Sequence, residues 1–124
     1  PISKVLFTKE NSVKKFVIVD AGMTELLRPS LYNAYHQIVP LTLSDTPPEK
    51  VDVVGPVCET GDFFARERML QPLQRGEYCA VLNAGAYGFT LASHYNARPF
   101  VAEILVNDDK IKVIRKREEV FNYQ

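Results

Sequence analysis

Apolar positions along this chain gather into short runs separated by turn-forming clusters, and they rarely hold the 3.6-residue spacing of a helix. "KVLFTKE" (4–10) and "KKFVIVDAG" (14–22) are apolar, β-branched runs joined by the polar triplet Glu10-Asn11-Ser12, which predicts a hairpin. Helical spacing shows only in "MTELLRPSLYNAYHQI", through Leu27, Leu31 and Ala34 to Tyr35, and Pro29 cannot lie inside that helix. A loop up to Arg28 is expected, then one short helix over about residues 29–37, with Pro29 in its first turn, where a missing N–H costs nothing. "SDTPPEK" reads as a surface loop, and "KVDVVGPVCE" as a strand running through Cys58. "FFARERMLQPLQRGE" reads as an irregular connection ending in a turn at Arg75-Gly76. "YCAVLN" is a strand stopped by "AGAYG", and "FTLASHYNARP" is loop or irregular strand. "FVAEILV" and "KIKVIR", joined by the turn-rich "NDDK", form the clearest hairpin, and the polar tail "KREEVFNYQ" is a helical turn or a frayed end.

Many short strands and a single short helix give an all-β fold, a β-sandwich or Greek-key barrel-like domain. No strand-then-long-helix alternation, no GxxxxGK[ST] and no GxGxxG is present, which argues against a nucleotide-binding α/β fold. Length fits this picture, since 124 residues suit one domain able to bury a core. Lys plus Arg is 15 and Asp plus Glu is 15, so no basic excess points to a nucleic-acid partner. No apolar run approaches the roughly 18 residues of a membrane span, and no secretory start is seen, so a cytoplasmic protein without a membrane partner is expected. The opening at Pro1, without a Met, suggests a processed or excised piece. The two cysteines, Cys58 and Cys79, do not make a disulfide framework, and His36 and His94 add no zinc-ligand spacing.

Three clusters of reactive side chains stand out. In "LRPSLYNAYH", Arg28 and Tyr32 are four apart, so a guanidinium fork and a phenol can share one side of a helical turn and grip a carboxylate or phosphate. The same spelling also describes a capping arginine beside a packing tyrosine. In "CETGD", Cys58 can exchange a proton and Glu59 can accept hydrogen bonds from an ammonium group. A buried strand-end cysteine with Glu59 and Asp62 capping a turn is the competing description. On an extended backbone Cys58 and Glu59 would face opposite ways, so a shared pocket requires a bend around Thr60-Gly61. In "NAGAYGFTLASHYNARP", Gly85 and Gly88 bracket Tyr87 and free the backbone to present it, though a plain wide turn looks the same. Ser93, His94, Tyr95 and Asn96 read as ordinary loop residues, and His94 lacks a carboxylate nearby in sequence.

Taken in order, "DAGMTELLRPSLYNAYH", "VVGPVCETGDFFARER" and "NAGAYGFTLASHYNARPFVAEILV" resemble the C-terminal region of the diaminopimelate decarboxylase family, in the alanine-racemase-like class of pyridoxal-phosphate enzymes. The resemblance runs from about Lys4 to Arg115. It implies that residues 1–124 are a single C-terminal β-domain that closes over an N-terminal (β/α)8 barrel. That barrel needs about 250 residues and is absent here, so none of the chain's lysines is assigned the Schiff base. It also implies a homodimer in which each subunit completes the other's active site, and an exposed apolar face where a segment from the start of the whole protein would pack. The implied substrate is meso-diaminopimelate, decarboxylated to L-lysine, and the implied cofactor is pyridoxal 5'-phosphate, bound by the barrel and contacted by Tyr87.

By the same resemblance Cys58 is the proton donor, acting across the dimer interface, Arg28 and Tyr32 hold the distal carboxylate, Glu59 meets the distal ammonium, and Tyr87 lies near cofactor and substrate. Thr60 stands where the family more often has serine, a change that keeps the hydroxyl. Relatives of the class act on ornithine, arginine or carboxynorspermidine. They have no distal carboxylate to grip and tend to carry aspartate after the cysteine, so "CE" with "LRPSLY" favours diaminopimelate. A free-standing β-sandwich used for binding or assembly is the alternative from a different class.

Overall fold

The computed structural model describes residues 1–119. Its elements in chain order are β1 (Ile2–Glu10), β2 (Lys15–Val19), α1 (Arg28–Tyr32), β3 (Ile38–Pro40), β4 (Glu49–Val54), β5 (Phe63–Leu70), β6 (Tyr78–Val81), β7 (Glu103–Asn107) and β8 (Lys110–Arg115). Two single-turn 3-10 segments, Phe89–Leu91 and Tyr95–Ala97, lie between β6 and β7. Six strands form one sheet in the order β3-β6-β1-β2-β4-β5, and β7 pairs with β8 in a second sheet. The fold is all-β, as expected. The sheet curls towards closure, because the edge strand β5 reaches the segment leading into the opposite edge, β3. The Arg68 guanidinium donates to the His36 carbonyl at 2.9 Å and sits 4.1 Å from the Tyr35 ring.

Alternation explains the packing. Val5 of β1, Val17 and Val19 of β2, Val51 and Val53 of β4, Phe64 of β5, and Cys79 and Val81 of β6 point inward, joined by Leu26, Ile38, Leu70 and Leu73. β1 and β2 form the expected hairpin. β2 and β4 run parallel, which a tight turn cannot connect, and the crossover of residues 20–48 carries α1 and β3. β7 and β8 meet at Asp108, whose φ is 53°, and leave Leu105, Val106, Ile111 and Val113 exposed.

Three elements differ from the sequence reading. The helix ends at Tyr32, not near residue 37, because Asn33 turns left-handed at φ 53° and the Ala34 amide closes back on the Arg28 carbonyl at 3.3 Å. The three-residue strand β3 follows, paired to β6. The segment read as irregular begins with the eight-residue strand β5. Its Arg66-Glu67-Arg68 charges hide the alternation, but β5 is an edge strand, where charge is tolerated and guards against mispairing. Finally, residues 116–119 form no helical turn, and the rest of the expected tail, 120–124, lies outside the described residues. No helix among the described residues is long and apolar enough to cross a membrane.

A bulge locks β5 to β4. Val51 faces Arg68 and Val53 faces Ala65, so Arg66 and Glu67 together oppose Asp52. Glu67 takes a left-handed φ of 48°, and its freed amide donates to Asp52 Oδ1 at 2.7 Å, while Asp52 Oδ2 accepts from Lys14 at 2.8 Å. Burial pushes the Asp52 carboxyl up, but the Lys14 bond, the Glu67 amide and the charges of Lys14 and Arg66 outweigh it and hold the group below its ordinary value. A carboxyl lowered in the folded state contributes stability above its unfolded pKa, near 4, and loses it as pH falls through the folded value. We expect Asp52→Asn to lower the melting temperature by roughly 5 °C at neutral pH. The gap between variant and parent, followed by circular dichroism, should narrow below about pH 4.

Candidate functional site

Each candidate side chain is carried by one of three segments, the helical turn α1 and two loops, and the segments are built onto one another. Arg28 and Tyr32 are the first and last residues of α1, one turn apart, and Tyr32 is 61% exposed. Tyr87 is 65% exposed, and its ring centroid lies 5.8 Å from the Arg28 guanidinium carbon. Tyr87 itself takes the left-handed conformation, φ 60°. The flanking glycines therefore work differently from the expectation: a Cβ on Gly88 would lie 2.3 Å from the Ala84 carbonyl oxygen, so Gly88 is required by close approach, whereas one on Gly85 would meet nothing.

β4 stops at Val54, so Cys58 is not on a strand, and residues 56–61 bend and turn continuously. The bend starts earlier than the Thr60-Gly61 position inferred from alternation, and it removes the alternation problem. Cys58 is an exposed free thiol rather than a buried strand-end residue. The loop is shaped by Asp62, 4% exposed, whose Oδ1 accepts from the Met23 amide at 2.6 Å and whose Oδ2 accepts from the Val57 amide at 2.6 Å. Burial pushes the Asp62 carboxyl above its ordinary value, opposed by those two amides and by the charge of Arg98. Cβ atoms on Gly22 and Gly55 would lie 2.8 and 2.4 Å from Oδ1 and Oδ2 respectively, so both backbones press against this carboxylate. A Cβ on Gly61 would lie 2.6 Å from Ser30 Oγ, which puts the end of the cysteine loop directly on α1.

The third segment, residues 83–98, is stapled to the same turn at 20–25. Arg98 donates from Nε to Thr24 Oγ1 at 3.0 Å and from an Nη to the Asp20 carbonyl at 2.6 Å, and pairs with Glu25 at 3.4 Å. The Ser93 amide donates to the Thr24 carbonyl at 3.0 Å. Asn96 and Ala97 are left-handed at φ 58° and 56°, a conformation costing non-glycine residues about 1–3 kcal/mol each, which the Arg98 contacts offset. This strained turn presents Tyr95, whose hydroxyl donates to Glu59 Oε1. The accepting Glu59 carboxylate, through its hydrogen bond and its charge, pushes the Tyr95 phenol above its ordinary value.

All five residues singled out from the sequence therefore lie on three mutually contacting segments, α1 and two loops. Gly61 meets Ser30, Arg28 meets Tyr87, and Tyr95 meets Glu59. Sequence reasoning missed Tyr95, passed over as a loop residue, and Arg98, because their partners are 36 and 74 positions away. His94 has no carboxylate nearby in sequence, but the fold brings one to it from 24 positions away: Glu118 Oε2 lies 2.7 Å from its Nε2. Cys79 is a core thiol, fully buried, and burial pushes it up to about 11, so it packs as a neutral group at neutral pH.

Residues 2–114 match the family described as pyridoxal-dependent decarboxylase, C-terminal sheet domain. The chain belongs to that family. Among relatives of this sheet domain, the diaminopimelate decarboxylase of Aquifex aeolicus is 56% identical over 117 residues, 94% of this chain and 28% of its own length. That of Zymomonas mobilis is 50% identical over 119 residues, 96% of this chain and again 28% of its own length. The crystal structure of Helicobacter pylori diaminopimelate decarboxylase complexed with L-lysine shares 50% identity and superimposes with a TM-score of 0.88, covering 96% of this chain and 29% of that one. This sheet domain thus spans less than a third of the length of the relatives it matches.

Asp62→Ala would leave the Met23 and Val57 amides unpaired, each worth about 1–3 kcal/mol where no water replaces the partner. We expect its melting temperature to fall by roughly 5–15 °C, and that of Gly55→Ala by a similar amount through the clash with Asp62. Gly85→Ala, which meets open space, should melt within about 2 °C of the parent.

Proposed function

We propose that this chain is the C-terminal domain of a pyridoxal-phosphate-dependent diaminopimelate decarboxylase, converting meso-diaminopimelate to L-lysine and carbon dioxide. Its three-segment rim would complete an active site whose other walls come from an N-terminal barrel domain and a homodimer partner. The observation that carries the reading is the convergence of the segments bearing Arg28 and Tyr32, Cys58 and Glu59, and Tyr87 through their pairwise contacts. The names of the relatives and the L-lysine found with one of them point to the same substrate and product.

The roles follow from the chemistry of each group. A substrate with an amino-acid group at both ends reacts at one end and is gripped at the other. Arg28 offers a bidentate fork and Tyr32 a phenolic donor to the distal carboxylate. Glu59 offers an anionic acceptor to the distal ammonium, and the exposed Tyr87 phenol reaches cofactor and substrate. Cys58, exposed and unbridged, delivers a proton to the carbon that has lost carboxylate. When bound, pyridoxal phosphate supplies the electron sink that makes that loss feasible.

The donor set here suits contact with such a cofactor rather than its capture. Lys14, which lines the same open hollow as Glu59, is committed to Asp52, and Lys15 to Glu49. A lysine to anchor the cofactor would come from the barrel. The protein is expected to work in the cytoplasm, where amino-acid synthesis takes place.

The test uses the full-length protein carrying this domain. Cys58→Ala should lower kcat on meso-diaminopimelate by about 100-fold or more while changing KM far less, because proton return is a chemical step. Unchanged turnover would remove Cys58 from the proton-donor role.

A further inference from the structure

Glu59 is exposed, and an exposed glutamate ordinarily samples several rotamers, so its use as an ammonium receptor carries an ordering cost when ligand arrives. Here one oxygen is already held: Tyr95 Oη–H donates to Oε1, and among the described residues no hydrogen bond engages Oε2. The donor is a neutral phenol. A lysine or arginine in its place would neutralise the carboxylate and compete with a cationic ligand, whereas a phenol orients the carboxylate and leaves its charge available. Tyr95 in turn is not a freely placed loop residue. It heads the turn in which Asn96 and Ala97 are both left-handed, and Arg98 fastens that turn to Asp20, Thr24 and Glu25.

We propose that Tyr95 is a positioning residue for substrate recognition: its hydroxyl fixes Oε1 of Glu59 and reserves Oε2 for the ammonium of an amino-acid substrate's non-reacting end. This inference rests on the reading of Glu59 given under Proposed function and adds to it the element that sets the carboxylate's orientation. It follows that the strained turn and its Arg98 anchor serve specificity, since a phenol displaced from Glu59 would leave the receptor unordered.

The experiment is a double-mutant cycle in the full-length holoenzyme with Tyr95→Phe and Glu59→Gln, singly and together, measured on meso-diaminopimelate. Tyr95→Phe removes one oxygen and keeps the ring. It should lower kcat/KM about tenfold, mainly through KM, the size expected for a hydrogen bond to a charged group. In the Glu59→Gln background the same change should cost less than about twofold, a coupling that a merely structural tyrosine would not produce. Calorimetric binding of L-lysine gives a readout independent of turnover and should weaken about tenfold in Tyr95→Phe. An equal loss in both backgrounds, or a loss from Glu59→Gln alone with Tyr95→Phe at the parent value, would overturn the inference while leaving the decarboxylase reading intact. A parent protein that does not act on meso-diaminopimelate, or a Glu59→Gln variant with normal KM, would overturn the reading of Glu59 and this inference with it.

Discussion

One buried carboxylate sets the geometry on which the rest of the site depends. Asp62 joins two segments distant in sequence, holding the Met23 amide at the turn after β2 and the Val57 amide in the loop after β4, while Gly22 and Gly55 allow both backbones to close upon it. Burial works against the ionised form, so the arrangement is stable only because two amides and the charge of Arg98 face it. From that tie the cysteine loop gains its bend, and through Gly61 it comes to rest on Ser30 of α1.

The turn that Asp62 anchors is also the platform for the third segment. Arg98 binds Asp20, Thr24 and Glu25, all within that turn, and carries Tyr87 and Tyr95 toward α1 and the cysteine loop. Two long-range staples of opposite charge therefore meet on one short segment, residues 20–25. The sheet beneath supplies rigidity through its Val, Leu and Phe core, and the segments above it carry the candidate side chains, the usual division between a scaffold and what it displays. The result is a rim of exposed donors and acceptors rather than an enclosed pocket, in keeping with the proposed place of this domain as one wall of a shared active site.

Much of this was legible in the chain. Alternating apolar runs revealed the β1–β2 and β7–β8 hairpins and the all-β class, and the segments carrying Arg28 and Tyr32, Cys58 and Glu59, and Tyr87, singled out in the sequence, are in contact with one another in the fold. What stayed hidden has physical causes. β5 is an edge strand with a bulge, so its charges and its Glu67 kink erase the period of two. Asn33 ends the helix early by a backbone choice open to several residue types. Tyr95, Arg98 and the partnership of His94 with Glu118 depend on contacts 24 to 78 residues apart, which no local spacing encodes. Asp62 looked like a turn cap, and its capping of two separate loops became visible only in three dimensions.

Arg28, Tyr32 and Glu59 are proposed to recognise together an amino-acid group at the far end of the substrate. The most direct measurement compares kcat/KM of the full-length protein on meso-diaminopimelate and on L-ornithine, which lacks the distal carboxylate. A site that must leave a guanidinium and a phenol unpaired with the smaller molecule should prefer meso-diaminopimelate by about a thousandfold or more. Equal rates, or a preference for ornithine, would contradict recognition of a distal carboxylate by Arg28 and Tyr32.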